Sequence, residues 1–266
     1  MADGIAVAVA GVAALLDSAA DAVTFVAKSW DYQVTEALQT TLDEGVAMIA
    51  DSVEFLRGAG RMVMVDLEHF FDGYKRNPEF SLRAIEAAVV KGASHLVLCD
   101  TNGGSLPHEV SQIVADVKRH VGDDAVIGIH CHDDTGCAVA NSMAAVLSGA
   151  RHVQGTLNGL GERTGNCNLT TVIPNLQLKL GMRCLPEGRL ERLTAVSHHV
   201  AEVRVPIQPV GHRHVPHVLD TADQEHVALI RLNRERGTVQ GGHRRTAEAV
   251  HRLRAHVFRN PGQKLC

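Results

Sequence analysis

The sequence predicts an α/β fold in which a parallel sheet is covered by helices. Three observations predict it. Short β-branched runs alternate strictly with longer amphipathic runs from about Ala20 to about Leu180. Each short run is roughly six residues long and nearly continuous in apolar character, as strands buried on both faces require. A polar cluster follows each short run, always at the same end.

Taken in chain order, residues 21–27 form the first strand candidate, and Lys28-Ser29-Trp30-Asp31 follows it. Residues 35–57 read as a helix closed by Gly58. The second strand, 61–67, runs into Asp66-Leu67-Glu68-His69, and a helix over 81–91 ends at Gly92. The third strand, 95–99, leads to Asp100-Thr101-Asn102-Gly103-Gly104. Ile113, Val114, Val117 and Val121 give the next helix, 107–120, its helical spacing. A strand over 125–132, a helix over 136–148 closed by Gly149, and a strand over 152–157 come next. A glycine-rich loop then opens a helix over 168–180, which Gly181 ends. Five βα units result. Beyond Pro186 the texture changes: residues 191–202 still read as a helix, 227–230 as a short strand and 246–258 as a basic helix. Nine of the sixteen histidines fall in 198–266, with dense arginine beside them. The chain thus divides into 15–186 and an atypical His- and Arg-rich tail, 187–266.

Composition is that of a globular chain, with 45% hydrophobic and 21% charged residues. A net charge of −4 gives no reason to expect nucleic acid or an anionic membrane as partner. No apolar run reaches the roughly 18 residues of a membrane span. The apolar start, 5–16, lacks the flanking signals of a secretion peptide. Six cysteines without a CxxC or a regular framework read as reduced thiols, which implies a cytoplasmic protein. Aromatic residues are only 3%, so the core must rest on Val, Leu, Ile and Ala.

Two clusters carry candidate chemistry. In Gly128-Ile129-His130-Cys131-His132-Asp133 strand alternation puts His130 and His132 on one face, about 6.5 Å apart along the strand, with Cys131 on the other. Two imidazoles at the C-terminal end of a parallel strand suit a divalent ion; hydrogen-bonded structural histidines are the alternative. The loop Asn158-Gly159-Leu160-Gly161-Glu162-Arg163-Thr164-Gly165-Asn166 offers a carboxylate, a cation and a neutral oxygen ligand on a backbone free to adopt positive φ. A turn followed by an Asn N-cap explains it equally well.

These segments, with Lys28-Ser29-Trp30-Asp31, Val34-Thr35-Glu36-Ala37 and Glu68-His69-Phe70-Phe71-Asp72-Gly73-Tyr74-Lys75, resemble the (R)-citramalate synthases. That group stands with 2-isopropylmalate synthase, homocitrate synthase and the hydroxymethylglutaryl-CoA lyases. The resemblance covers roughly residues 15–203. It implies a TIM barrel, here partial and without its first two strands, and a Claisen-type condensation of acetyl-CoA with a 2-oxo acid, pyruvate being favoured. His130, His132 and Asn166 would be metal ligands, for Mg²⁺, Mn²⁺ or Zn²⁺. Glu68 and Thr101 would face the keto acid, Thr101 donating to its carboxylate. Glu68 and Glu162 would be the catalytic carboxylates, Glu162 behind the metal or on the CoA side. A homo-oligomer or dimer is also implied.

The departures from that family matter equally. The sequence contains no Asp-x-x-x-Arg-Asp-Gly run, which in the family supplies a metal ligand and an oxyanion-stabilising arginine. Gly211-His212-Arg213-His214-Val215-Pro216-His217 stands where the family carries Phe-x-His-Lys-x-Gly-x-His. Position 133 is Asp where Asn is usual, and 33 is Gln where His is usual. The expectation is a chain inactive or nearly so by itself. A 2-isopropylmalate synthase-like enzyme, an aldolase-type lyase and a non-catalytic partner of a complete synthase are the other readings. The tail reads either as out-of-frame translation or as a metal-binding segment built on His212, His214 and His217.

Overall fold

The computed structural model describes residues 12, 14–204 and 228–231. The segment 211–217, with its three histidines, and the helix expected over 246–258 lie outside the described residues. Five strands, β1 (Ala22–Lys28), β2 (Met62–Glu68), β3 (His95–Asp100), β4 (Val126–Cys131) and β5 (His152–Gly155), pair in parallel and in chain order. A short β6 (Ala228–Arg231) adds antiparallel beside β5, at the place of the strand expected over 227–230. Helices α1 (Leu42–Gly58), α2 (Phe70–Arg76), α3 (Pro78–Val90), α4 (Pro107–Val121), α5 (Ala138–Leu147), α6 (Leu169–Pro174) and α7 (Leu193–Arg204) make up the rest.

Strand alternation divides the sheet into two unlike faces. One face carries Val63, Val65 and Leu67 from β2, Leu96 and Leu98 from β3, and Ile127, Ile129 and Cys131 from β4. All pack in a single core with Ile49 and Val53 of α1, Ala84 and Ile85 of α3, and Val110 and Val114 of α4. Each such aliphatic side chain contributes about 1.5–3 kcal/mol relative to exposure. The other face, the inside of a barrel wall, carries Asp66 and Glu68, Cys99, His130, and His152 and Gln154. At the β1 edge this inner face meets water: Val26 is 61% exposed.

Several boundaries differ from the sequence expectation, each for a local reason. The helix expected over 35–57 is instead a π-helical turn, Gln33–Ala37, followed by Gln39 at φ 51° and then α1. Thr41 restarts the helix by accepting from the Glu44 N–H, and Gly58 is its last residue, the left-handed turn falling on Gly60. The 168–180 helix divides at Pro174, which lacks an N–H, into α6 and a π-helical turn. Helix α2 lies where the apolar spacing predicts no helix. Buried Phe70 and Phe71 anchor it, and Asn77-Pro78 separates it from α3. Helix α7 falls on the tail side of the 186/187 division, yet it is tied to the β5–α6 loop. Asn158 Nδ2 donates to the Ser197 carbonyl, and Ser197 Oγ donates to Asn158 Oδ1.

Candidate metal and substrate site

All five parallel strands deliver their C-terminal ends to one rim. His130 is the penultimate residue of β4, and His132 follows the strand and bridges to Asn166. The two imidazole centroids are 5.3 Å apart. His130, His132 and Asn166 are 8%, 6% and 2% exposed, so the trio is enclosed. Cys131 points into the core, as alternation requires.

The loop that brings Asn166 to His132 is shaped by its backbone. Asn158, Gly159, Arg163 and Gly165 all have positive φ. A Cβ at Gly161 would come within 2.7 Å of the Asn166 carboxamide carbon, so only glycine lets the loop wrap that side chain. Backbone hydrogen bonds then press the loop onto the end of β4, Asp133 N–H to the Gly165 carbonyl at 3.0 Å and Cys167 N–H to the Cys131 carbonyl at 2.9 Å. Asn168 does cap α6, accepting from Thr170 N–H, as the turn-and-cap reading of this segment expects. Arg163 grips Asp134 with two 2.9 Å bonds and donates to the Thr101 carbonyl at 2.6 Å, joining three strand-end loops. Glu162 beside it projects outward, its side chain 63% exposed and 3.6 Å from Arg163. Asp133 caps the start of α5 by accepting from Ala138 N–H, which assigns that side chain a structural task.

Does this trio suit a divalent ion? His132 Nδ1 and both polar atoms of the Asn166 carboxamide are buried with no hydrogen-bond partner. An unpaired buried polar group costs about 1–3 kcal/mol, and a cation that accepts lone pairs from His132 Nδ1 and Asn166 Oδ1 removes that cost for those two atoms. Burial first, then the neighbouring His130 and Arg163, pushes the His132 pKa down to about 4, so its ring is neutral and carries a lone pair. Two imidazoles and an amide oxygen thus fit one divalent ion with coordination positions to spare. Among the described residues, no three His, Cys, Asp or Glu side chains converge on a common point.

Beside the trio lie the keto-acid candidates. Lys28 donates to the Glu68 carboxylate across the β1–β2 register, a pairing that the sequence reading missed although both residues end their strands. Thr101 Oγ accepts from His69 N–H at 2.8 Å, which leaves the hydroxyl proton free to donate. Trp30 packs against the His69 ring, centroids 5.7 Å apart. Asp100, raised by burial and stabilised by Ser105, ties down its own loop. Gln154 is a further residue the sequence reading passed over. It stands directly opposite His130 in the β4–β5 register, and a polar residue inside a buried strand was the signal for it.

The HMGL-like family model matches residues 2–200. The chain is 50% identical over 212 residues to the (R)-citramalate synthase of Aquifex aeolicus, covering 79% of this chain and 39% of that protein. It is 54% identical over 202 residues to the (R)-citramalate synthase of Streptomyces coelicolor, covering 76% and 37%. A 2-isopropylmalate synthase of Pectobacterium atrosepticum matches less well, 43% over 153 residues, 56% of this chain and 28% of that one. The chain therefore spans less than two fifths of the length of these curated relatives. Among solved structures, the HMG-CoA lyase of Bacillus subtilis aligns with a TM-score of 0.62 at 20% identity, covering 73% of this chain and 66% of that one. The Pseudomonas aeruginosa lyase gives 0.60 at 20% identity, over 75% and 68%. The likeness to these structures carries the barrel fold alone. The family match and these relatives show that this chain belongs to the HMGL-like family, and the parallel strand order and the solved structures show its TIM-barrel fold.

Proposed function

We propose that the chain serves the condensation of acetyl-CoA with pyruvate to (R)-citramalate and CoA, a step of isoleucine biosynthesis. One observation carries the reading: His132 and Asn166 hold buried, unpartnered polar atoms beside His130 on the rim where parallel barrels work. His130, His132 and Asn166 would hold a divalent ion. When bound, that ion supplies Lewis-acid polarisation of the keto carbonyl. Thr101, its oxygen occupied by His69 N–H, aims its proton at the keto-acid carboxylate. Glu68 is held at the rim by Lys28 and faces the same substrate. Glu162, outward on its loop, belongs with the CoA side. The walls of the trio exclude water from the reacting carbonyl.

The sequence holds no Asp-x-x-x-Arg-Asp-Gly run to supply a further metal ligand and an oxyanion-stabilising arginine, so turnover by this chain is expected to be slow. Purified full-length chain, incubated with Mn²⁺ and pyruvate, should retain pyruvate only in the presence of the metal. CoA release from acetyl-CoA should stay slow. Failure to bind either Mn²⁺ or pyruvate would overturn the reading, and robust CoA release would overturn the low-turnover part of it. The weaker likeness to 2-isopropylmalate synthase supports a second reading, in which a longer branched 2-oxo acid competes with pyruvate for the same rim.

A further inference from the structure

Behind His130 runs a buried polar chain. His130 Nδ1 lies 2.7 Å from Gln154 Oε1, and Gln154 Nε2 donates to Asp66 Oδ1 at 2.9 Å. Gln154 is 1% exposed and His130 8%, so the bond between them is shielded from water, while Asp66 is partly buried. The β4–β5 register puts His130 and Gln154 side by side, and Asp66 reaches them from β2 on the same inner face. An amide can point either end at a histidine, and the two choices have opposite consequences. A carboxylate only accepts, so it draws the Gln154 NH₂ to itself and leaves the carbonyl for His130. Nδ1 of His130 must then carry the ring proton, and Nε2 keeps its lone pair.

We propose that Gln154, oriented by Asp66, is a positioning residue that fixes the tautomer of His130 so that Nε2 is ready to ligate a divalent metal. The inference rests on the metal reading given above, but the tautomer itself is measurable without metal. Outer partners of this kind typically change metal affinity about 10–100-fold when removed.

The test uses full-length chain with ¹⁵N-labelled histidine. The His130 signal is identified by its loss in His130→Gln. In metal-free protein the ¹⁵N shifts should show Nδ1 protonated and Nε2 bare. A proton found on Nε2 would overturn the proposal whatever the metal data say. Co²⁺ titration followed by its absorption spectrum gives the second readout. Gln154→Met should weaken Co²⁺ binding about 10–100-fold and mix the two tautomers. Asp66→Asn should also mix them, because an amide no longer dictates which way Gln154 faces. The double variant Asp66→Asn with Gln154→Glu restores an acceptor for His130 and a donor behind it. It should return both tautomer and affinity toward the unaltered protein, a recovery that a mere packing role would not give. If Gln154→Met binds Co²⁺ as tightly as the unaltered chain, the proposal fails. If Gln154→Met does not fold, the isosteric pair and the metal-free spectrum decide. If the unaltered chain takes up no Co²⁺, the metal reading fails, while the spectrum still decides the role of Gln154.

Discussion

At His132 a neutral ring is enclosed with one nitrogen lacking a partner, and Asn166 beside it is left with two such atoms. All three atoms are costly as structure, and the ring nitrogen and the carboxamide oxygen are useful as ligands. Replacing His132 by Ala should therefore abolish high-affinity Mn²⁺ uptake in calorimetry while leaving the thermal midpoint equal or higher, because an unsatisfied polar group goes with it. A large fall in the midpoint would mark His132 as a core residue. Asp72 gives a residue-scale prediction about pH. The His69 ring, 3.7 Å away, and then the Asn102 amide hold its carboxyl below the ordinary carboxylate range. A carboxyl depressed in the folded state stabilises the fold above its unfolded pKa, and that stability disappears as pH falls through the folded pKa. Urea midpoints at about pH 6 and about pH 3 should differ less in Asp72→Asn than in the unaltered chain. Equal acid sensitivity in the two would remove Asp72 from the account.

Among the elements, the short α2–α3 corner sets the rim residues most directly. Asn77 caps α3 by accepting from Phe80 N–H at 3.1 Å, and its NH₂ donates to Asp31 after β1 at 2.7 Å. Asn77→Ala should lower stability by about 1–3 kcal/mol, the cap and the charge-assisted bond together, read as a drop in the denaturation midpoint with unchanged slope. Gly73 lets α2 lie on the Ser29–Trp30 backbone: an added Cβ would sit 2.8 Å from the Ser29 carbonyl oxygen. Gly73→Ala should cost about 1–3 kcal/mol by overpacking and should shift the emission of Trp30, the single tryptophan. An unchanged spectrum and midpoint would show that the corner yields more easily than packed backbone does.

For the whole molecule, the inner face opens to water at its β1 edge. The β1 strand has no partner on its outer side among the described residues, and Val26 stands 61% exposed on it, with Met62 of β2 42% exposed toward the other end of the β1–β2 pair. An open parallel edge beside apolar surface favours association. Sedimentation of purified chain should show an average mass that rises with concentration, and Val26→Lys should reduce that rise. A concentration-independent monomer would contradict this. Among the described residues, no helix is long and apolar enough to cross a membrane.

Periodicity alone determined the alternation of the five parallel strands with the longer helices, α2 excepted, because continuous apolar runs of strand length between amphipathic runs bury their surface in one way. Alternation alone put His130 and His132 on one face and Cys131 on the other. Local chemistry blurred the boundaries: the caps at Thr41 and Asn77 and the break at Pro174 overrode smooth periodicity. What only the tertiary structure decided are the contacts between strands. Lys28 with Glu68, His130 with Gln154 and Asp66, and Arg163 with Asp134 and the Thr101 carbonyl all cross from one βα unit to another. Register between parallel strands depends on how whole helices pack over them, and no local pattern within a strand encodes which residue will lie beside it in the next.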